Sequence, residues 1–381
     1  MAFFGRNICG LSISSLSIPS LSILRLLLLG LIISGCHTQT QTSEKHMLDS
    51  AVTTIPATDA SLQVTGRTQA LEDGSLRFGY PGVSVKFAAS GQSASLQAHS
   101  STDQSYLEII VDDQEPRAVK LSSSSQSISL FDDLRPGIHQ VEIIHRSETW
   151  HGVVTLESFT VENGRFLPVT DQPVRRMLIL GDSVTCGEAI ERVPGCKKDT
   201  SWWNPRLSYG LLTAKALNAQ AHLVCYGGRG LVRTWDGKTS DANLPDFFEL
   251  TIPDQQPSIL WDHGQYSPDL IVSAIGTNDF SIGIPERKHY VSTYVSLIER
   301  LRELHPKAKI ALTEGAILNG EKKAQLRAYL TETKARLNDS RVQVIPSNYY
   351  PGDACDAHPT KEQHAAMADD LAPLLRNMMG W

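Results

Sequence analysis

Four short blocks carry the side chains of this chain best suited to covalent chemistry. The first is Gly181-Asp182-Ser183, where the apolar run from Met177 to Leu180 ends abruptly in small and polar residues. The others are Tyr226-Gly227-Gly228-Arg229-Gly230, Gly276-Thr277-Asn278-Asp279 and Cys355-Asp356-Ala357-His358-Pro359. A serine hydroxyl is a poor nucleophile near neutral pH and needs an imidazole to take its proton. Of 12 histidines, His358 alone falls in an acid-rich loop after the last expected strand. Attack on an ester puts negative charge on the carbonyl oxygen, and each N–H donor fixed around it is worth about 100- to 1,000-fold in rate. The Ser183 amide, the Gly228 amide and the Asn278 side chain can supply three, with neighbouring Gly227 leaving the second open by one position. Asp356 stands two residues before His358 and is the candidate to orient it; the alternative is a Ser183–His358 dyad with Asp356 facing solvent.

Such residues work only if the fold gathers them. Met177 to Leu180 reads as a buried strand, with further strands at His222 to Cys225, Leu270 to Ala274, Ile310 to Thr313 and Val342 to Ile345. Helical stripes alternate with them: Leu207 to Leu217, Val291 to Leu301, Leu326 to Leu337 and Leu371 to Met378. Strand and helix in alternation predict an α/β domain over 175–381, a parallel sheet with helices on both faces. In such sheets reacting groups collect beyond the carboxyl ends of the strands, where all four blocks fall.

The chain before this domain has a different period. From Leu76 to about Val161 short runs alternate, as in Val83, Val85 and Phe87 or Leu107, Ile109 and Val111, with turn signals such as Asp73-Gly74 and Ser90-Gly91. This predicts an all-β antiparallel sandwich over 61–165, joined to the second domain by a proline-containing linker. No aromatic row marks it as a sugar platform, so a structural role is expected. Residues 37–60, rich in Thr, Ser and Gln, read as a flexible tether.

Residues 1–36 read as a targeting segment: Arg25 precedes the apolar run Leu26 to Ile33, and Ile33-Ser34-Gly35-Cys36 resembles a bacterial lipobox. The resemblance implies lipidation of Cys36 and an outer-membrane or surface lipoprotein, since His37 stands where an aspartate would signal inner-membrane retention. Of six cysteines, Cys186, Cys196, Cys225 and Cys355 can pair in an oxidising compartment, and Cys186 with Cys196, bracketing a short loop, is the first choice. No Cys-x-x-Cys motif or closely spaced histidine pair appears, so neither metal nor cofactor is expected. A net charge of -6, with no Lys/Arg-rich block, gives no support to nucleic-acid binding.

The order of the four blocks resembles the SGNH hydrolases, or GDSL esterase superfamily, across roughly the second half of the chain. The resemblance places the nucleophile on Ser183, oxyanion-hole donors on Ser183, Gly228 and Asn278, and the base on His358. Gly-Asp-Ser-Val-Thr-Cys-Gly, Gly-Arg-Gly-Leu, Trp261-Asp262 and Cys-Asp-x-His-Pro, after a sandwich, look further like carbohydrate esterase family two. That family joins a jelly-roll to an SGNH domain and removes acetyl groups from polysaccharides. Most SGNH enzymes carry their aspartate three residues before the histidine, which is Cys355 here. Family members use the nearer position or a backbone carbonyl instead. Ala357 also stands where the family often has Trp.

Aromatic faces stack on sugar rings, and Trp202, Trp203, Trp235 and Trp261 lie in the long loops. Trp235, close after Gly-Arg-Gly-Leu, is the first candidate for substrate contact and Trp261 the second. The leading expectation is a lipid-anchored O-acetyl esterase acting on an acetylated polysaccharide or oligosaccharide. The alternatives are a lipolytic GDSL esterase or thioesterase, and an inactive carbohydrate-binding lipoprotein.

Overall fold

The computed structural model describes residues 52–381 except 113, 136, 170 and 171. The proposed signal segment, the lipobox at Cys36 and most of the proposed tether lie outside the described residues. The tether ends earlier than its composition suggests. Val52–Pro56 is a strand, paired residue by residue with Val154–Glu162 from Val52 against Glu162 to Pro56 against Ser158. Thr and Ile suit a pleated, half-buried edge, and the backbone partner that recruits them lies about a hundred residues on.

Two six-stranded sheets form the first part, and every ladder in them is antiparallel. The alternating residues face inward as the period-two pattern requires: Val83, Val85, Phe87, Leu96, Leu107, Ile109 and Val141 are all buried. Leu156 and Phe159 break the period, yet both are fully buried. A register shift between Leu156 and Ser158 supplies the extra residue that returns the strand to phase. The expected linker is also partly structured, since Arg165–Leu167 adds a strand beside Ser84–Ser90.

The second part is a five-stranded sheet. Its strands are β1 (Arg175–Gly181), β2 (Ala219–Cys225), β3 (Leu270–Ala274), β4 (Lys309–Thr313) and β5 (Val342–Ile345). All pairings are parallel and the order is β2-β1-β3-β4-β5. The continuous apolar run of β1 is shared between two cores. Met177 and Ile179 pack with α1 (Tyr209–Ala216) and α4 (Lys361–Met379), while Leu178 and Leu180 pack with α2 (Arg287–Leu304) and α3 (Gly320–Leu337). Burial on both faces is why this strand reads as unbroken hydrophobic sequence. The chain leaves β1 for β2 on one side and returns to β3 on the other. The crevice opened by that reversal, at the carboxyl ends of β1 and β3, is where ligands settle in open α/β sheets.

The sandwich and the parallel sheet share one continuous apolar cluster. Polar anchors reinforce it: Arg67, buried, donates to the carbonyl of Leu250 at 2.8 Å, and the Tyr80 hydroxyl donates to the carbonyl of Phe247 at 2.9 Å.

Candidate active site

Ser183 starts a single helical turn directly after β1, and Asp182 caps that turn by accepting the Val184 amide at 3.1 Å. His358 reaches it from the loop ahead of α4. That loop is fixed at its end by a reciprocal cap: the Gln363 amide donates to Thr360 Oγ1 at 3.2 Å, and the Thr360 amide donates to Gln363 Oε1 at 3.1 Å. His358 Nε2 stands 2.9 Å from Ser183 Oγ, and His358 Nδ1 stands 2.6 Å from Asp356 Oδ1. The same Asp356 oxygen accepts the His358 amide at 2.9 Å. The three groups therefore form a connected relay in which Asp356 takes the orienting position, two residues before the histidine.

The electrostatics suit a general base. Burial alone would push the His358 imidazole down, but the Asp356 hydrogen bond and the carboxylates of Glu188 and Asp356 outweigh it and hold the pKa above the ordinary value. Burial likewise disfavours the Asp356 carboxylate, yet hydrogen bonds from His358 and Lys198 hold it well below the usual range. Asp356 thus stays ionised and fixes the tautomer with Nε2 free to accept the serine proton.

Sequence reasoning missed three residues of this wall, all in the loop after Ser183. Lys198 Nζ donates to Asp356 Oδ2 at 2.8 Å and also to Glu188, whose Oε2 lies 3.6 Å from His358 Nε2. Arg192 donates to the carbonyls of Asp356, at 3.0 Å, and of His358. The charge density of this loop was visible in the sequence, but its partners lie about 160 residues away and spacing could not name them.

The cysteine pairing differs from the expectation. Cys186 bonds Cys225 and Cys196 bonds Cys355, with Cα separations of 5.6 and 5.1 Å. Cys186 is fully buried at the end of the serine turn, facing the end of neighbouring β2, where Gly181 lies opposite Cys225. Cys196 sits further out and crosses to the histidine loop. Closeness in sequence was the wrong guide because the parallel sheet brings the ends of β1 and β2 side by side.

Gly228 and Asn278, the expected donors to an oxyanion, lie in the loops after β2 and β3. Gly228 holds φ +74, a conformation that favours glycine, and a Cβ there would come within 2.9 Å of Trp235 Cδ1. The two glycine amides differ in their partners. The Gly227 amide donates to Glu148 Oε2, whereas among the described residues the Gly228 and Ser183 amides donate to no protein acceptor. Asn278 Nδ2 donates one hydrogen to the Arg229 carbonyl at 2.7 Å, which fixes the orientation of the amide. Asp279, next in sequence, is buried and accepts the amides of Leu231 and Val232 at 2.8 and 2.7 Å and of Arg233 at 3.2 Å. Burial raises its pKa to about 6 against the pull of those amides. It ties the Gly-rich loop after β2 to the loop after β3.

The tryptophans divide. Trp235 lies against Gly228 and is 62% exposed, so its face is open beside the site. Trp261 is only 8% exposed, packed by His222 and under the Arg67 guanidinium. It is not at the site, because it precedes β3 and so falls toward the amino-terminal edge of the sheet. Trp202 and Trp203 are buried as well. Trp150, on the sandwich and 47% exposed, joins Trp235 in lining a cleft of about 240 Å³ with Gly228, Arg229 and Asp241. The sandwich had offered no aromatic row, and a single Trp gives no periodic signal.

Both parts of the chain match known families. Residues 64–169 match the Carbohydrate esterase 2 N-terminal family, and residues 179–371 match the GDSL-like Lipase/Acylhydrolase family. The chain is 52% identical over 349 residues to an acetylxylan esterase / glucomannan deacetylase of Cellvibrio japonicus, covering 92% of this chain and 98% of that protein. A solved family two carbohydrate esterase from Cellvibrio japonicus superposes with a TM-score of 0.86 at 54% identity, over 87% of this chain and 99% of the other. A family two carbohydrate esterase from Clostridium thermocellum, solved in complex with cellohexaose, gives a TM-score of 0.79 at 26% identity, over 84% and 99%.

Proposed function

The chain belongs to carbohydrate esterase family two, and on that premise we propose that it removes O-acetyl groups from a plant-type polysaccharide such as xylan or glucomannan. The observation that carries the proposal is the line from Asp356 through His358 to Ser183, with spacings of 2.6 and 2.9 Å. Ser183 Oγ attacks the acetyl carbonyl carbon as its proton passes to His358 Nε2. The oxyanion is held by the amides of Ser183 and Gly228 and by Asn278 Nδ2. Collapse expels the sugar oxygen, which takes the proton from His358 and leaves acetate esterified to Ser183. Water, deprotonated by the same imidazole, then releases the acetate.

The cleft favours a glycan over a long acyl chain. Trp150 and Trp235 offer ring faces, and Arg229, Asp236, Lys238 and Asp241 supply charged groups for hydroxyls. Release of acetate from acetylated xylan and glucomannan, measured for wild type and Ser183→Ala, tests the proposal. Ser183→Ala should lose at least about 1,000-fold in turnover with its fold retained. Comparable activity in Ser183→Ala would overturn the mechanism. Faster hydrolysis of octanoyl than acetyl esters would overturn the substrate class.

A further inference from the structure

We infer that Glu148, a residue of the sandwich, is a positioning residue for the oxyanion hole: its carboxylate holds the Gly227 peptide so that the Gly228 amide faces the reacting oxygen. The inference rests on the serine esterase reading above. Glu148 is 1% exposed, and each of its oxygens has a donor. Oε2 accepts the Gly227 amide at 2.5 Å, and Oε1 accepts the Trp203 indole N–H at 2.8 Å.

A buried carboxylate is costly unless its oxygens are hydrogen-bonded, and bonds to an ionised acceptor are roughly twice as strong as neutral ones. Two consecutive glycine amides thus have different fates. One is committed to Glu148, and its commitment leaves the next turned toward the site. The close approach demands glycine, since a Cβ on Gly227 would lie 2.8 Å from Glu148 Oε1 and 3.0 Å from Oε2.

Glu148 is itself firmly placed. Its amide donates to His151 Nδ1 at 3.2 Å, within the 3-10 turn Thr149–His151. Two residues earlier, buried Arg146 donates Nε–H to the Trp203 carbonyl at 2.9 Å. Segment 146–151 therefore grips both the loop after β1, through Trp203, and the loop after β2, through Gly227. Burial and the neighbouring Glu188 carboxylate raise the Glu148 pKa to about 7, while the Trp203 side chain, the Gly227 amide and the Trp150 side chain pull against that rise. The sandwich on this account is part of the catalytic apparatus and not only a support.

The test uses the full chain and hydrolysis of 4-nitrophenyl acetate, with thermal unfolding as a control. Glu148→Ala should lower kcat at least about tenfold while KM changes less than about twofold, the signature of an interaction used only in the transition state. Glu148→Gln should fall between, because glutamine can offer its oxygen to Gly227 only by turning its NH2 toward the Trp203 donor. Gly227→Ala should also cost about tenfold, yet add under about twofold in the Glu148→Ala background, where the carboxylate it would strike is gone.

A folded Glu148→Ala enzyme with kcat within about twofold of wild type would overturn the inference, as would effects of the two substitutions that simply multiply. Should Glu148→Ala not fold, Gly227→Ala and Glu148→Gln decide, and wild-type kcat in both overturns it. Activity surviving in Ser183→Ala would instead remove the esterase reading on which the inference stands.

Discussion

The two walls of the site are held by different forces. The base wall, residues 352–358 with the loop from Glu188 to Lys198, is partly exposed and fixed by charge: Lys198 between Glu188 and Asp356, Arg192 on the loop carbonyls, and the Cys196–Cys355 bridge. The proposed oxyanion wall is fixed by backbone amides on two buried carboxylates, Glu148 and Asp279. Charge networks near solvent respond to pH and are individually weak contributors to stability. Buried amide-to-carboxylate bonds tolerate little change of shape, and burial raises the pKa of both carboxylates, Glu148 to about 7 and Asp279 to about 6. The base wall is therefore held by charge near solvent, and the opposite wall by close-fitting amide contacts to buried carboxylates.

The largest effect expected on the base wall tests whether Asp356 is a true partner. Asp356→Asn replaces the acceptor of the His358 Nδ1 proton and should cut kcat by about 1,000- to 10,000-fold with KM little changed. Turnover within about twofold of wild type, or ~0.4 kcal/mol of barrier, would reduce the relay to a Ser183–His358 dyad. On the opposite wall, Asn278→Ala removes one donor and should lower kcat by about 100- to 1,000-fold in steady-state assays with the same acetate ester. A loss under about tenfold would mean that the backbone amides carry the oxyanion alone.

The smallest effect concerns the charge around the base. The base acts when neutral, and the His358 pKa is raised, so activity should fall as the pH drops through a midpoint above the ordinary imidazole value of about 6.5. Glu188 contributes to that rise from 3.6 Å away. Glu188→Gln should therefore move the acid limb of kcat/KM to lower pH, by up to about one unit, with a smaller change on the plateau. A limb that stays in place would remove Glu188 from the electrostatics of the base.

Much of this was legible in the sequence because it is local. A strand buried on both faces must be an unbroken apolar run, so Met177 to Leu180 announced itself, and with it the serine at its end. Period-two and period-3.6 patterns gave the sandwich and the alternating α/β domain. The blocks at strand ends gave Ser183, Gly228, Asn278 and His358, since a parallel sheet delivers all of its carboxyl ends to one edge. The Asp356 position was also in view, with its orientation left open.

What only the tertiary structure decided involves partners far apart along the chain. The disulfides follow the adjacency of β1 and β2 and the approach of two loops, not the short interval between Cys186 and Cys196. Trp261 is buried because it enters at the wrong edge of the sheet, and Trp150 reaches the cleft because the sandwich docks beside the loop after β2. Glu148, Lys198 and Arg192 reach Gly227, Asp356 and His358, between 79 and 166 positions away. A sequence fixes such contacts only through the packing of the whole, because hydrophobic periodicity specifies which face of each element is buried but not which polar group meets it there.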